Sequence, residues 1–302
     1  MIVAVEELSH KYGSREALSR VSFNVETRSV FGLLGPNGSG KSTLFRILST
    51  MIAPTEGRAT VAGSDVVTQA DQVRRRIGVV FQSQSLDRKL TVDENLFAQG
   101  HLYGLSGNPL RNRVDETLRR LALDDRRGDI VGTLSGGLMR RVEIAKALLH
   151  APDVLLMDEP STGLDPVARR EMWQYLDELR KIRELTILVT THLLDEAERC
   201  DQLLLLHQGR IVAEGAPAVL KSKVGGDVVV LESNDPAALG QRLAERFRVQ
   251  PIVMDGTVRV EIEGGHRFVA EAVEAFPGSI LSVIYHKPTL EDVFVDLTGA
   301  RI

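Results

Sequence analysis

The segment from Gly35 to Thr43 has the residue types and the spacing of a phosphate-binding loop, G-x-x-x-x-G-K-S/T. Its residues are Gly35, Pro36, Asn37, Gly38, Ser39, Gly40, Lys41, Ser42 and Thr43. The glycines allow the backbone to curl so that its N–H groups point at phosphate oxygens, and the start of a helix adds a favourable dipole. We expect Lys41 to reach the β- and γ-phosphates and the Ser42 hydroxyl to ligate Mg²⁺. The segment therefore predicts a binding site for a nucleoside triphosphate.

Short apolar runs on either side of this loop supply the elements that it needs. Val30–Leu34 is typical of a buried strand, and Thr43–Leu48 has the apolar spacing of a helix. A strand, a glycine-rich loop and a helix are the context in which the pattern binds phosphate. The alternative, a glycine turn that happens to carry a lysine, does not account for both flanking elements.

Two carboxylates follow a second buried run. Val154–Met157 predicts a strand, and Asp158 and Glu159 stand at its end. In phosphate-loop NTPases a carboxylate at such a position completes the Mg²⁺ shell, and we assign that role to Asp158. Glu159 would lie beside the γ-phosphate and act as a general base toward an attacking water, a contribution of about 10²–10⁴ in rate. The alternative is a helix cap, because Asp-Glu-Pro-Ser often opens a helix.

A third element, Leu134–Gly137, lies between the loop and the carboxylates in the sequence. Ser135 precedes a predicted helix that begins with Gly136 and Gly137, and small residues at a helix start form an anion site from backbone N–H groups and a serine hydroxyl. An ordinary helix N-cap is the alternative, and the pattern alone does not decide between the two.

The composition indicates a soluble protein without internal disulfides. The chain has 302 residues, a formal net charge of −4 and one cysteine, Cys200. No apolar run approaches the roughly twenty residues that a membrane-spanning helix needs, and the N-terminus lacks the pattern of a secretion signal. The charge gives no general attraction to nucleic acid, and a single cysteine fits a reducing cytosol. We interpret Cys200 as a helix-packing residue.

The order of apolar segments predicts two domains. Strand-like and helix-like segments alternate up to residue 222, which favours an α/β domain over residues 1–222. The predicted strands are Ala59–Ala62, Ile77–Phe81, Val154–Met157, Thr186–Thr190 and Leu203–His207, and the predicted helices are Val92–Leu102, Leu110–Leu121, Gly136–His150, Val167–Ile182 and Leu194–Arg199. Residues 223–302 predict a small α+β (ferredoxin-like) domain in the order β-α-β-β-α-β, with a hairpin turn at Asp255-Gly256.

These segments, taken in order, resemble the nucleotide-binding subunit of ATP-binding cassette (ABC) transporters, and the resemblance covers residues 1 to about 220. Leu134–Gly137 is similar to the family signature and Ser161–Asp165 to its D-loop. Tyr12 matches the aromatic residue that stacks on adenine, Gln82 the glutamine that joins the core to a helical subdomain, and His192 the switch histidine. Taken alone, Tyr12 also fits surface packing, Gln82 a polar loop, and His192 a strand-end histidine bonded to a backbone carbonyl.

The resemblance implies an ABC-type phosphate-loop fold with a helical signature subdomain, which uses ATP and Mg²⁺. Two such chains would meet head to tail as a homodimer, so that Ser135 and Gly137 of one chain grip the γ-phosphate held by Lys41 of the other. ATP would then close the dimer and its hydrolysis would reopen it. Asp165 in the D-loop would link the two sites across the dimer.

The same resemblance implies two helpers for Glu159 in hydrolysis. Gln82 would contact Mg²⁺ and the lytic water while reporting to a membrane partner. His192 would hydrogen-bond the γ-phosphate and orient the water together with Glu159. The catalytic set implied by the family is therefore Glu159, His192 and Gln82.

Leu138 departs from the family pattern, which has glutamine at this position, and we expect the polar contact of that glutamine to be lost. The run from Ser135 to His150 and the C-terminal segment Lys287–Gly299 instead resemble the branch of drug-resistance, nodulation and sodium-export ATPases. Those subunits pair with ABC-2-type membrane proteins and mostly export. The resemblance thus implies a transmembrane permease partner and a place on the cytoplasmic face of the cell membrane.

A soluble mechanical ATPase acting on nucleic acid or ribosomes is the alternative function. Relatives of that kind usually carry two cassettes, a long coiled-coil insertion or zinc-binding cysteines, whereas this chain has one cassette and one cysteine. Arg140, Arg141 and Lys146 have no interleaved aromatic residues for base stacking, so we expect a solvated helix face, or a face near the partner's nucleotide, and no nucleic-acid partner. For residues 223–302 we expect an accessory domain that braces the dimer or regulates hydrolysis.

Overall fold

The computed structural model describes residues 1–182 and 184–299 of the chain. The chain divides into two compact units, Met1–Glu214 and Gly215–Ile302. Within the described ranges, no helix is both long enough and apolar enough to cross a lipid bilayer.

Strands and helices alternate along most of the chain, as the sequence predicts. The strands are β1 (Val3–Tyr12), β2 (Arg15–Val25), β3 (Val30–Leu34), β4 (Glu56–Val61), β5 (Ser64–Asp65), β6 (Ile77–Val80), β7 (Val154–Asp158), β8 (Thr186–Thr191), β9 (Gln202–His207), β10 (Arg210–Gly215), β11 (Asp227–Glu232), β12 (Ile252–Met254), β13 (Thr257–Ile262) and β14 (Ser282–His286). The helices are α1 (Lys41–Leu48), α2 (Ala70–Arg76), α3 (Val92–Leu102), α4 (Gly107–Arg120), α5 (Gly136–Leu148), α6 (Pro166–Ile182), α7 (Leu194–Ala197), α8 (Pro217–Lys221), α9 (Pro236–Phe247), α10 (Gly265–Ala275) and α11 (Leu290–Thr298). The α/β prediction is confirmed, and the ends of the predicted elements shift by at most 3 residues.

A six-stranded sheet with the order β10-β9-β3-β8-β7-β6 forms the centre of the first unit. Strands β3, β6, β7, β8 and β9 run parallel to their neighbours in this set. Strands β3, β7 and β8 are buried along their whole length, which is why their sequences are nearly continuous apolar runs. Because the carboxyl ends of parallel strands lie at one edge of a sheet, the loops after β3, β6, β7 and β8 meet there. These loops carry the phosphate-binding segment, Gln82, the two carboxylates and His192.

A second sheet of the first unit, with the order β2-β1-β4-β5, is antiparallel. Leu44, Phe45 and Leu48 of α1 are buried in one hydrophobic core with residues of both sheets. Phe23 of β2 stacks on Phe31 of β3 with 5.3 Å between ring centroids. Burial of each of these side chains contributes about 1.5–3 kcal/mol. This core fixes the place where α1 begins, at the end of the phosphate-binding loop.

The sequence does not predict β1 and β2, although they form the most extensively paired hairpin of the second sheet. Their pairing shifts register between Val5 and Leu8 and again near His10. Glu7 and Arg20 take left-handed backbone angles, with φ of 46° and 48°. Such bulges interrupt the period-two alternation by which a half-buried strand is recognised.

Helices α3, α4 and α5 pack against one another and form the expected helical subdomain. A capping box opens α3, since the Glu94 N–H donates to Thr91 Oγ1 at 3.2 Å and the Thr91 N–H donates to the Glu94 carboxylate at 2.8 Å. Arg127 bridges Asp93 of α3 and Asp115 of α4, each at 2.9 Å. These contacts join α3 to α4, and both helices pack against α5.

The second unit contains a four-stranded sheet with the order β12-β13-β11-β14, in which every neighbouring pair is antiparallel. Its elements follow the order β-α-β-β-α-β from β11 to β14, and α11 comes after them. The hairpin turn at Asp255 and Gly256 has φ of 49° and 79°, the left-handed angles that an Asp-Gly turn provides. The sequence does not predict helix α11, which opens with a capping box between Thr289 and Asp292.

Candidate active site

The phosphate-binding loop takes a backbone shape that glycine makes accessible. Gly38 and Gly40 have φ of 81° and 110°, and a Cβ on Gly40 would lie 2.7 Å from the Ala17 carbonyl oxygen. The loop leads directly into α1, and no side chain of the described residues caps the start of that helix. The first N–H groups of α1 therefore remain available to an anion at the end of the loop.

Lys41 is buried, with 4% of its side chain exposed, and faces the same loop. Its ammonium donates to the Gly35 carbonyl at 2.6 Å and to the Pro36 carbonyl at 3.1 Å. Burial lowers the pKa of Lys41, and the nearby charges of Glu159 and Asp158 oppose that shift. The lysine is thus fixed by its own loop, beside two carboxylates.

A cavity of 210 Å³ opens at this loop. It is lined by Tyr12, Arg15, Ala17, Asn37, Gly38, Gly40, Lys41, Ser42, Thr43, Arg46 and Glu159. Tyr12 is 42% exposed and packs edge-to-face on His10, with 4.6 Å between the rings. The sequence does not predict Arg15, Ala17 or Arg46 as cavity residues. Arg15 and Ala17 belong to a hairpin that the sequence does not predict, and Arg46 lies on α1, beyond the phosphate-binding pattern. Ser39, in contrast, is buried under the loop, and its hydroxyl has no hydrogen-bond partner within the described residues.

Thr190, at the end of β8, holds both carboxylate residues at the end of β7. Its hydroxyl donates to Asp158 Oδ1 at 2.5 Å and accepts from the Glu159 N–H at 2.9 Å. The same N–H also donates to the Thr190 carbonyl at 3.1 Å. Burial raises the pKa of Asp158, and the bond from Thr190 opposes that rise. Sequence reasoning missed Thr190, and the parallel register that pairs Asp158 with Thr190 explains its role.

Glu159 is the point at which the predicted catalytic side chains meet. Gln82 Nε2 donates to Glu159 Oε2 at 3.2 Å, and Thr162 Oγ1 donates to the same oxygen at 3.3 Å. Lys41 Nζ lies 3.8 Å from the other oxygen, Oε1, and His192 Nδ1 lies 3.4 Å from it. Glu159 has a left-handed backbone with φ of 45°, a strained conformation for a residue with a side chain. The fold thus brings Gln82, His192, Lys41 and Glu159 together.

The alternative that Asp158 and Glu159 cap a helix is wrong. The next helix, α6, begins at Pro166. Its cap is Asp165, whose Oδ1 accepts from the N–H groups of Val167 at 2.9 Å and Ala168 at 3.0 Å. The two carboxylates at the end of β7 therefore do not cap α6.

His192 follows a buried network that fixes its backbone. Thr191 Oγ1 donates to Glu196 Oε2 at 2.6 Å and accepts from the Leu193 N–H at 2.9 Å. The Nδ1 atom of His192 has no hydrogen-bond partner in the part of the chain that the structure describes. Its 3.4 Å approach to Glu159 is an ion pair when the imidazole is protonated.

The signature residues lie apart from the 210 Å³ cavity. Ser135 caps α5, because its hydroxyl accepts from the Leu138 N–H at 3.3 Å. A Cβ on Gly137 would lie 2.8 Å from the Ala168 side chain. Of the described residues that line the cavity, none is Ser135, Gly136, Gly137 or Asp165. One chain therefore lines that cavity with the phosphate-binding loop and Glu159, whose carboxylate Gln82 and His192 approach, and the signature lies elsewhere.

Arg140 of α5 is not on a solvated face, so that expectation is wrong for this residue, whereas a face near the partner's nucleotide stays a prediction. Arg140 is 5% exposed and pairs with Glu143, which is 3% exposed. Arg141 pairs with Glu171 of α6 and lies over the ring of Tyr175. Cys200 is buried, as expected of a packing residue.

Comparison with known proteins gives matches over nearly the whole chain. Residues 18–162 match the family model described as ABC transporter. The chain is 40% identical over 294 residues to Nod factor export ATP-binding protein I of Burkholderia orbicola (strain AU 1054), which covers 97% of this chain and 95% of the relative. It is similar to the structure of cbiO1 from Clostridium perfringens, part of the ABC transporter complex cbiONQ, with a TM-score of 0.69, 28% identity, and coverage of 82% of this chain and 96% of that chain. A dimeric post-hydrolysis state of an ATP-binding cassette bound to ADP and Pi matches with a TM-score of 0.63, 30% identity, and coverage of 71% and 98%.

Proposed function

Because the chain belongs to the ABC transporter family, as an ATP-binding subunit that hydrolyses ATP, we propose that it drives export through a separate ABC-2-type permease. The observation that carries the catalytic part of the proposal is the convergence of Lys41, Gln82 and His192 on the carboxylate of Glu159. The direction of transport is supported by the export function in the name of a relative that is 40% identical.

Glu159 acts as the general base in this proposal. One carboxylate oxygen accepts a proton from water while the water oxygen attacks the γ-phosphorus, and the bond to the β-γ bridging oxygen breaks to release ADP. Gln82 and His192, at 3.2 Å and 3.4 Å from that carboxylate, orient the water and the γ-phosphate. Lys41 balances the charge of the phosphates bound by the loop.

Ser42 in the first turn of α1, and Gln82 and Asp158 near the ends of β6 and β7, have side chains of the kind that bind Mg²⁺. Ser42 at the cavity wall, the Asp158 carboxylate and the Gln82 amide supply the oxygen ligands that Mg²⁺ prefers. The bond from Thr190 to Asp158 Oδ1 orients this carboxylate at the sheet edge. Mg²⁺ supplies charge neutralisation on the phosphates, and we propose Ser42, Asp158 and Gln82 as the residues that hold it.

We propose that ATP closes a head-to-tail dimer of two copies of this chain. Ser135 lies at the exposed start of α5 and lines no part of its own chain's cavity, so a second copy is needed to bring it to a γ-phosphate. Gly136 and Gly137 would add backbone N–H groups to the same contact. Tyr12 at the cavity wall would stack on adenine, and Asp165 would connect the two sites. Dimeric assembly of a similar cassette with ADP and Pi supports this arrangement.

The permease places this subunit on the cytoplasmic face of the membrane in our proposal. The structure argues against a soluble ATPase acting on nucleic acid, because Arg140, one of the three residues of the candidate basic face, is buried against Glu143. We further propose that the second unit, which begins at Gly215, is an accessory domain that braces the dimer or regulates hydrolysis.

A capture experiment with a base-deficient chain tests this function. Tagged Glu159→Gln keeps Lys41 and the loop, so it binds ATP without hydrolysing it and accumulates as an ATP-dependent dimer. Incubated with detergent-solubilised native membranes, ATP and Mg²⁺, it is expected to retain a multi-span membrane protein. Lys41→Ala, which weakens phosphate binding, is the matched control and should show neither the dimer nor the membrane protein.

Two results would contradict the proposal in different ways. Hydrolysis by Glu159→Gln at the rate of the unaltered chain would remove Glu159 as the base. Recovery of ribosomes or nucleic acid without a membrane protein would replace the transporter by the soluble alternative.

A further inference from the structure

A buried ion pair on α5 grips the backbone of the loop that carries Gln82. Arg140 Nη1 donates to Glu143 Oε2 at 2.8 Å and to the Phe81 carbonyl at 2.8 Å. Arg140 Nη2 donates to the Gln82 carbonyl at 3.3 Å. The guanidinium thus spans two successive carbonyl groups at the point where β6 ends and the loop begins.

The same face of α5 makes two further contacts with this loop. Glu143 Oε1 accepts from the Ser85 N–H at 2.8 Å, and Lys146 Nζ donates to the Ser85 carbonyl at 2.6 Å. Arg140, Glu143 and Lys146 are three residues apart along the helix, a spacing that places them on one side. The loop is therefore tied to α5 at both Gln82 and Ser85.

Fold stability alone does not require an ion pair at this place. A buried pair is often no more stabilising than apolar side chains of the same volume, whereas removing one partner leaves a buried charge unpaired. Besides bonding each other, Arg140 and Glu143 form hydrogen bonds with the backbone of Phe81, Gln82 and Ser85. The pair lies about one to two helical turns after Ser135 on α5. All of these backbone contacts are at the end of β6 and in the loop after it, which indicates that the pair fixes the position of this loop.

We propose that Arg140 and Glu143 are positioning residues, which hold the Gln82 loop so that the Gln82 side chain reaches Glu159. The proposal rests on the assignment of Glu159 as the base. The connection is continuous: α5 to Arg140, Arg140 to the Gln82 carbonyl, and Gln82 Nε2 to Glu159 Oε2 at 3.2 Å.

Helix α5 also connects Arg140 to the signature residue Ser135. Ser135 caps α5, and Arg140 lies five residues farther along, a rise of roughly 7.5 Å at 1.5 Å per residue. In the proposed dimer, Ser135 engages the nucleotide of the second copy while Arg140 holds Gln82 at its own site. A movement of α5 when the dimer closes therefore displaces Gln82 relative to Glu159, and each site responds to occupancy of the other.

A double-mutant cycle on the full-length chain tests the proposal. Arg140→Gln should lower kcat of Mg²⁺-dependent ATP hydrolysis by about tenfold, since misplacement by about 1 Å can cost up to about 10²-fold. KM should stay within about twofold, because the phosphate-binding loop is untouched. Adding Arg140→Gln to Gln82→Ala should produce no further loss, because Arg140 acts through Gln82.

Arg141→Gln is the matched control on the same helix. It removes a partly buried ion pair with Glu171 but, among the described residues, no hydrogen bond to the Gln82 loop, so it should leave kcat within about twofold while lowering the thermal midpoint. If Arg140→Gln fails to fold, Lys146→Met is used instead, because it removes the more exposed hydrogen bond between α5 and the loop, from Lys146 Nζ to the Ser85 carbonyl. The same cycle with Gln82→Ala is then measured.

Additive losses of kcat in the cycle, or a loss for Arg140→Gln no larger than for Arg141→Gln, would overturn the proposal. A rise in KM with unchanged kcat would also overturn it, since that pattern reports ground-state binding. Glu159→Gln separates the two levels of inference. Full hydrolysis by that variant contradicts the assigned base, whereas its inactivity beside an additive cycle contradicts only the role of Arg140 and Glu143.

Discussion

Replacing Thr190 by valine tests whether the carboxylates are positioned from the neighbouring strand. Valine has the same shape but lacks the hydroxyl that donates to Asp158 Oδ1 at 2.5 Å and accepts from the Glu159 N–H at 2.9 Å. The Glu159 N–H keeps its 3.1 Å bond to the Thr190 carbonyl, so the chain path of β7 is retained. What is lost is the hydrogen bond that orients the Asp158 carboxylate and one of the two acceptors of the Glu159 N–H.

The size of the effect follows from the bond to Asp158, because that bond involves a charged group. A hydrogen bond to a charged group contributes about 1.5–3 kcal/mol, and each kcal/mol shifts the melting temperature of a domain of this size by about 2–4 °C. We therefore expect Thr190→Val to lower the melting temperature of the first unit by about 3–12 °C. Because the Asp158 carboxylate loses the hydroxyl that orients it beside Glu159, kcat of ATP hydrolysis should fall on the order of tenfold or more.

Thr186→Val is the control for this prediction. Thr186 lies at the opposite end of β8, is equally buried, and its hydroxyl accepts from the Arg28 N–H at 3.0 Å. It should lower the melting temperature by a smaller amount and leave kcat unchanged, as measured by calorimetry and steady-state ATPase assay. Equal kcat values for the two variants would refute positioning by Thr190.

Two further predictions concern the second unit. Lys287, which donates to Asp227 Oδ1 at 2.5 Å, lowers the pKa of Asp227, so the stabilisation that this pair gives is present above about pH 4 and is lost as the pH falls through the depressed pKa. Asp227→Asn should flatten that acid dependence in hydrogen exchange of β11, and an unchanged profile would exclude the pair as its source. Ending the chain at Gly215, the last residue of β10, should weaken ATP-dependent dimerisation of Glu159→Gln or change the ATPase rate of the otherwise unaltered chain. Equal dimerisation and equal rate would remove the accessory role.

The sequence predicts those parts of the site that depend on short-range order. The phosphate-binding loop, the carboxylates after β7 and the histidine after β8 each follow a buried strand directly, and parallel strands bring such ends to one edge. The sequence pattern is sufficient here, because the loop motif and the apolar run of the buried strand before it both lie within about ten residues.

The parts that the sequence does not predict depend on contacts between distant segments. Thr190 is one polar residue in an apolar strand, and only the β7–β8 register shows that it faces Asp158. Arg15 reaches the cavity through a hairpin whose bulges conceal its strands. Arg140 belongs to a helix with charged residues, and its burial becomes visible only when the Gln82 loop is placed against it.

Ser135 shows that two interpretations which the sequence left open are compatible. Its hydroxyl accepts from the Leu138 N–H at 3.3 Å, which is an N-cap. A hydroxyl also has one hydrogen to donate, and Ser135 is exposed, so in the proposed dimer that hydrogen is available to a phosphate oxygen of the second copy. The same bond qualifies the expectation about Leu138, because residue 138 serves the cap through its backbone N–H, which leucine supplies as well as glutamine does. The cap fixes the hydroxyl in advance of the nucleotide, and a donor that is already oriented loses less entropy when the dimer closes.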